Sequence, residues 1–131
     1  MHITPFYAAI LVFLFIFLSV RTLRLRRRLQ IPLGDGGNPQ MLRAMRVHSN
    51  FAEYVPLALL LMFMFESVSA LPGPAHVFGI SLLLGRLSHA YGVGQTSEDY
   101  RYRVFGMAMT FIALLGSTIG LLVIYLLQLI G

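Results

Sequence analysis

Four polar residues in the first half of the chain recur at the spacing of a single helix face. The residues that follow one another at i, i+3, i+7 and i+10 are Arg43, Arg46, Asn50 and Glu53. At about 100° per residue they fall within an arc of roughly 80°, and Tyr54 lies at the edge of the same stripe. Arg46 and Glu53 are separated by about 10 Å along such a helix. This distance is too long for a direct ion pair, but it matches the two ends of a small zwitterionic molecule.

A second polar pair, Arg86 and His89, shares one face of a later apolar segment at i, i+3. A charge near the centre of a lipid bilayer costs roughly 2.5 to 3.5 kcal/mol, so such residues usually have a partner or a function. Two interpretations are open at this point. Together with the first stripe, the pair can line a cationic, hydrogen-bonding pocket near the membrane interface. Alternatively, Glu53 forms an ion pair with Arg86 inside a helix bundle, which would neutralise both charges.

The elements that must position these residues are long apolar blocks. The chain has 131 residues, of which 57% are hydrophobic and only 11% are charged, whereas soluble domains carry about a quarter charged residues. Blocks of this length suit a lipid bilayer. The sequence therefore predicts an all-α membrane protein, a single domain over residues 1–131 that folds as a four-transmembrane-helix bundle. The predicted helices cover residues 3–28, 39–70, 75–91 and 103–130.

Local signals support these boundaries and indicate how the last helix packs. Glycines and prolines between positions 32 and 39 break the first helix, after which Asn38 can cap the second helix and Pro39 fits its first turn. In the fourth helix the small residues share one face, which favours close helix packing in a membrane. These residues are Gly106, Thr110, Ala113, Ser117 and Gly120.

All ten basic residues are arginines, and most of them lie between the first and second apolar blocks or between the third and fourth. The positive-inside rule therefore predicts an inner (cytoplasmic) membrane protein with both termini away from the cytoplasm. The first arginine cluster is expected to contact lipid headgroups rather than nucleic acid. We expect Glu66 and His76 to be solvated at the outer end, and Glu98 and Asp99 to be ordinary loop charges.

The composition also limits the chemistry. The sequence contains no cysteine, which excludes disulfides and a protein thiol nucleophile. It has no glycine-rich phosphate loop and no pair of histidines at metal-ligand spacing, so we expect neither a nucleotide nor a metal. Any thiol chemistry must therefore come from a ligand.

Two segments resemble the MAPEG family, the membrane-associated proteins of eicosanoid and glutathione metabolism. The run from Leu42 to Leu57 is similar to the second-helix signature of that family, with the match Arg-x-x-x-Asn-x-x-Glu-Tyr-x-Pro beginning at Arg46. The run from Gly85 to Gly92 resembles the third-helix Arg-x-x-His/Tyr element. The length, the four helices and the glycine-rich first loop agree as well, so the resemblance covers nearly the whole chain.

The resemblance implies a homotrimer in which glutathione, as co-substrate, lies between neighbouring subunits. The positions that map onto ligand contacts are Arg26, Arg46, Asn50, Glu53, Tyr54, Arg86 and His89. In this arrangement arginines would hold the two carboxylates of glutathione, and Glu53 would hold its ammonium group.

The resemblance also implies a thiol-activating arginine at the start of the fourth helix. Arg103 is the predicted catalytic residue and Arg101 is the alternative, because Arg101-Tyr102-Arg103 leaves the alignment ambiguous by two residues. A further departure is Val93, where family members often have a tyrosine for which Tyr91 would have to substitute.

The leading functional hypothesis is a glutathione transferase or peroxidase that acts on a small lipophilic electrophile or hydroperoxide. The alternative is a non-catalytic membrane binding or scaffold protein that retains the fold. A small multidrug transporter would require a membrane-embedded carboxylate in the first helix, and the segment Ile3 to Val20 contains none.

Overall fold

A computed structural model describes residues 2–69 and 71–131. Over these residues the fold is a bundle of four helices. The helices are α1 (Thr4–Leu29), α2 (Pro39–Val68), α3 (Gly73–Gly94) and α4 (Tyr100–Ile130). The all-helical prediction is confirmed, although the predicted end of the second helix at Ala70 lies outside the described residues.

The start of α2 follows its predicted capping signals. The Asn38 side-chain oxygen accepts hydrogen bonds from the amides of Gln40 and Met41 at 2.9 and 3.0 Å, and Pro39 occupies the first position of the helix. The cap satisfies amides that have no partner within the helix. It thereby fixes the position at which the polar stripe of α2 begins.

The α3–α4 connection is shorter than predicted. α3 continues to Gly94 and α4 begins at Tyr100, so only residues 95–99 connect them. The reason is Asp99, whose Oδ1 accepts a hydrogen bond from the Arg101 amide at 2.9 Å and caps α4. The prediction that Asp99 is an ordinary loop charge is wrong. As a consequence, Arg101 and Arg103 both lie on the first turn of α4.

The predicted small-residue face of α4 packs against its neighbours in the bundle. The buried residues of α4 are Gly106, Thr110, Ala113 and Ser117, which confirms that face except for the half-buried Gly120. At Gly106 the approach is so close that a Cβ atom would lie 2.6 Å from the Gly85 carbonyl oxygen and 2.7 Å from the His89 amide nitrogen. Direct backbone contact between α3 and α4 therefore fixes the turn of α3 that carries Arg86 and His89.

At the opposite end of the bundle, Glu66 on α2 caps the first helix. Its carboxylate accepts hydrogen bonds from the amides of Ile3 and Thr4, the latter at 2.9 Å. The Glu66 side chain is only 8% exposed, so the prediction of a solvated residue is wrong. His76 is exposed, but its Nδ1 lies 3.1 Å from the Tyr7 hydroxyl. These contacts hold the ends of α1, α2 and α3 together.

Within the part of the chain that the structure describes, α1, α2 and α4 are long and apolar enough to cross a membrane. Within the most apolar 18-residue stretch of α1, and likewise of α4, only 17% is buried inside the chain. These helices therefore expose broad apolar surfaces of the kind that lipid covers. Among the described residues, α3 does not reach the same apolar content, because it carries Arg86 and two histidines.

Substitution of Gly106 by alanine tests the close approach of α3 and α4. We expect Gly106→Ala to lower the free energy of unfolding by about 1 to 3 kcal/mol, because the new methyl group meets backbone atoms that cannot move aside. The measurement is thermal unfolding of the purified protein in detergent. Gly73→Ala is the matched control, since a Cβ atom there has no neighbour within 4 Å. Equal losses in the two variants would contradict the packing.

Candidate functional site

A polar cavity of about 340 Å³ lies at the end of the bundle where α4 begins. We call it the polar cavity. Its lining residues are Pro39, Leu42, Arg43, Arg46, Asn50, His89, Val93, Glu98, Tyr100 and Arg103. It brings together residues from α2, α3, α4 and the α3–α4 connection, including the predicted site residues Arg46, Asn50, His89 and Arg103. The first interpretation of the polar stripes, a cationic pocket, is therefore the one that the geometry favours.

The C-terminal part of the polar stripe on α2, Glu53 and Tyr54, lies outside the polar cavity. Glu53 is exposed on the outer surface of the chain, and Tyr54 packs edge-on against Phe111 with ring centroids 5.9 Å apart. Neither residue lines the polar cavity. The proposed ion pair between Glu53 and Arg86 is not formed, since the ion pairs among the described residues involve other side chains.

Arg86 is buried at the junction of three helices. It is 1% exposed, and its guanidinium donates to Asn50 Oδ1 at 2.6 Å and to Thr110 Oγ1 at 3.3 Å. The guanidinium carbon also lies 6.0 Å from the centre of the Phe51 ring. Arg86 thus connects α2, α3 and α4. It contributes to the site by orienting Asn50, whose amide nitrogen is then the donor that faces other partners.

His89 lies in the wall of the polar cavity, one turn beyond Arg86 on α3. It is 3% exposed, and its Nδ1 is buried without a hydrogen-bond partner among residues 2–69 and 71–131. Buried polar atoms are usually satisfied, so an unpaired ring nitrogen beside a cavity calls for an explanation. No protein group within the described residues supplies that partner.

The two arginines at the start of α4 point to different places. Arg103 lines the polar cavity, whereas Arg101 lines a separate, mostly apolar groove with Leu87, Tyr91 and Phe105. The geometry therefore favours Arg103 as the arginine of the site. Tyr91 belongs to the groove and does not replace the tyrosine that family members often carry at the position of Val93, which itself lines the polar cavity.

Arg26 stabilises the loop that follows α1. Its Nη1 donates to the carbonyl oxygens of Ile31 and Gly34 at 3.1 and 2.8 Å. It is not among the residues that line the polar cavity of its own chain. Its predicted contact with glutathione stays a prediction that would involve a neighbouring subunit.

The residue that sequence reasoning missed is Glu98. Its side chain is only 5% exposed, and its Oε2 accepts a hydrogen bond from Arg43 Nη1 at 2.6 Å. The prediction of an ordinary loop charge is wrong, because the short connection turns this carboxylate towards two arginines. The sequence has only five acidic residues. A carboxylate that is retained in so apolar a chain is expected to have a partner, and this expectation was the signal that could have identified Glu98.

Most of these five acidic residues have an assigned contact. Glu66 and Asp99 cap helices, Asp35 accepts a hydrogen bond from the Gly37 amide at 3.0 Å, and Glu98 binds Arg43. Glu53 is the exception within the described part of the chain. It lies in the apolar span of α2, where its carboxylate is exposed on the surface of the single chain.

The fold and the cavity define an all-α membrane protein with an arginine-rich polar site at one end of its bundle. The sequence model of the MAPEG family matches residues 4–123, so the chain belongs to this family, as its two helix motifs indicated. The matched region contains every residue that lines the polar cavity.

The chain is also similar to two bacterial membrane proteins over most of its length. The chain is 37% identical over 113 residues to Inner membrane protein YecN of Escherichia coli strain K12, covering 86% of this chain and 85% of that protein. Inner membrane protein YecN of Escherichia coli O6:H1 strain CFT073 gives the same values. The names of these relatives indicate an inner membrane protein and specify no reaction.

The Arg86→Lys variant tests the junction of α2, α3 and α4. We expect a loss of about 1 to 3 kcal/mol in the free energy of unfolding, because an ammonium group lacks the fork that reaches Asn50 and Thr110 together. Thermal unfolding in detergent measures the loss. Arg103→Lys is the matched control, since the Arg103 side chain is 52% exposed. A destabilisation of similar size in both variants would contradict the assignment.

Proposed function

We propose that the protein is a glutathione-dependent transferase or peroxidase of the inner membrane, with the polar cavity as part of its glutathione site. The observation that carries the proposal is the convergence of Arg46, Asn50, His89 and Arg103 on one cavity in a MAPEG chain. Three separate helices supply these side chains. They are the residue types that the chemistry of glutathione requires.

The recognition chemistry follows from the charges of the ligand. Glutathione carries two carboxylates, which guanidinium groups bind through short, charge-assisted and often bidentate hydrogen bonds. Arg46 is exposed at the cavity and makes no ion pair within the described residues. It is the arginine best placed for a ligand carboxylate. Asn50 and His89 line the same cavity and add polar side chains beside it.

The reaction requires the thiolate of glutathione, because the thiol is a poor nucleophile at neutral pH. Lowering the pKa of a thiol from about 8.5 by two units takes roughly 2.7 kcal/mol. A guanidinium such as that of Arg103, close to the sulfur in a partly dry site, can supply this stabilisation. In transfer, the sulfur forms a bond to the electrophilic carbon and the leaving group departs. With a hydroperoxide, two glutathione molecules yield the disulfide, an alcohol and water.

The exposed face of α2 supports a homotrimer. Arg46 and Glu53 are both exposed on that face in the single chain. A carboxylate turned towards lipid in a membrane span is unfavourable by a few kcal/mol, so this face requires a cover. Neighbouring copies of the chain provide one, and glutathione at the subunit boundary would place its ammonium group against Glu53.

In the proposed topology α3 is also a transmembrane helix. This helix packs between α2 and α4, so it crosses the membrane with them even though its own sequence is less apolar. The polar cavity then faces the cytoplasm, where the positive-inside rule places the arginine-bearing loops. Both termini lie on the other side. A lipophilic second substrate reaches the cavity from the bilayer.

A second candidate function is a non-catalytic membrane binding protein. The observations that favour it are Val93 in the cavity wall, where family members often have a tyrosine, and Glu98 beside Arg103, which offsets part of the positive charge. Both weaken thiol activation more than they weaken glutathione binding. The two functions therefore differ in turnover.

Arg103→Ala and Arg101→Ala form a matched pair that tests the enzyme proposal. We expect Arg103→Ala to lower kcat by about a hundredfold with a chlorodinitrobenzene-type electrophile, because the developing thiolate loses its cation. Arg101→Ala should retain turnover. The assay uses purified protein in detergent with glutathione, and is repeated with an organic hydroperoxide.

Calorimetric binding of glutathione accompanies this assay. Intact binding without turnover in the unaltered protein would favour the non-catalytic function, and an absence of binding would contradict both. Equal losses in the two variants would contradict the role of Arg103.

The trimer is tested by cross-linking and by Glu53→Gln. We expect cross-linked species in native membranes to end at three chains, and a ladder that ends at two would contradict the assembly. Glu53→Gln should weaken glutathione binding about tenfold, since the ligand ammonium loses a charged partner. Glu66→Gln is the control for removing a carboxylate far from the polar cavity, and should leave glutathione affinity unchanged.

A further inference from the structure

Glu98 holds the α3–α4 connection against α2. It lies in the five-residue segment 95–99 between the two helices. Its Oε2 is 2.6 Å from Arg43 Nη1, and the same nitrogen donates to the Val93 carbonyl oxygen at 3.4 Å. A nearly buried carboxylate bound to a guanidinium keeps a well-defined position, because both groups lose much of their solvation. One oxygen of Glu98 is therefore anchored.

The second carboxylate oxygen faces the arginine at the start of α4. Glu98 Oε1 is buried, makes no hydrogen bond within the described residues, and lies 3.8 Å from Arg103 Nη1. The other titratable groups that line the polar cavity are Arg46, His89 and Tyr100, from α2, α3 and α4. From α1, the nearest charged contact with this end of α3 is Arg21, which donates to the Gly94 carbonyl oxygen at 3.4 Å.

We propose that Glu98 is a positioning residue for Arg103, which anchors on Arg43 and holds the Arg103 guanidinium at the wall of the polar cavity. The inference rests on the proposed glutathione chemistry and adds a residue to it. The Arg103 side chain is half exposed and long, so without an ion-pair partner it samples many rotamers. The stabilisation of a thiolate falls with the distance to the cation, so a restrained guanidinium ionises the thiol more effectively than a free one.

The charge of Glu98 and its positioning role have opposite effects on the bound thiol. A carboxylate near the sulfur disfavours the thiolate, so removal of its charge alone would lower the thiol pKa. Loss of the restraint on Arg103 removes the cation from the sulfur and raises the thiol pKa. The direction of the change therefore separates the two effects.

The experiment is a pH titration of the ultraviolet absorbance of the thiolate, with glutathione bound to the full chain in detergent. For Glu98→Gln we expect the apparent pKa of the bound thiol to rise by about one unit, while the Kd for glutathione, measured at a pH below the thiol pKa, changes little. Asp99→Asn is the matched control, because it removes the same charge from the next residue and asparagine still caps α4. It should leave the thiol pKa unchanged.

Two further variants guard against a purely structural effect. Glu98→Asp keeps the charge but shortens the reach towards Arg103, so we expect a smaller rise of the thiol pKa. In an Arg103→Ala background, Glu98→Gln should no longer raise the thiol pKa, since the group that it positions is absent. These comparisons hold even if Glu98→Gln lowers the thermal stability of the protein.

A lower or unchanged thiol pKa in Glu98→Gln would overturn the inference, as would an equal rise in the Arg103→Ala background. If the unaltered protein binds no glutathione, the proposed function itself fails. The restraint is then measured without ligand, as hydrogen exchange at Arg103 Nε by nuclear magnetic resonance. Faster exchange in Glu98→Gln would support the positioning role, and unchanged exchange would overturn it.

Discussion

The buried guanidinium of Arg86 is the interaction on which the arrangement of the site depends. A cation that is 1% exposed inside a bundle needs acceptors for its donors, and here Asn50 and Thr110 accept from its two terminal nitrogens. These partners lie on α2 and α4, so the hydrogen bonds of one side chain on α3 fix the relative positions of three helices. The contact of Gly85 with Gly106 brings α3 and α4 close enough for this geometry.

The fold was largely accessible from the sequence because its signals are local. Apolar block lengths predicted the four helices, the Asn38 cap set the start of α2, and the small-residue face of α4 predicted its packing. The end of α3 and the start of α4 were missed. The start of α4 was missed because Asp99 can serve as a loop charge or as a helix cap, and only the fold decides between these roles. The role of Glu66 was missed for a related reason, since its partners lie more than sixty residues away.

The residues of the candidate site could be predicted from the sequence only where they share one face of a single helix. Helical spacing placed Arg46 and Asn50 side by side, and both line the polar cavity. Spacing could not show that Arg86 is buried and hydrogen-bonded to Asn50 and Thr110, so its contact with a ligand stays a prediction. It also could not place Glu98, whose contacts depend on a five-residue connection between separate helices.

The charges of the polar cavity explain why a carboxylate lies among its arginines. Three arginines and one glutamate line it, so the surplus is two positive charges when the histidine is neutral. Three close guanidiniums without a carboxylate would repel one another at the edge of the bilayer. Glutathione with an ionised thiol carries two net negative charges and with a neutral thiol only one. If glutathione binds as proposed, its thiolate form therefore matches the remaining charge of the cavity better than its thiol form does.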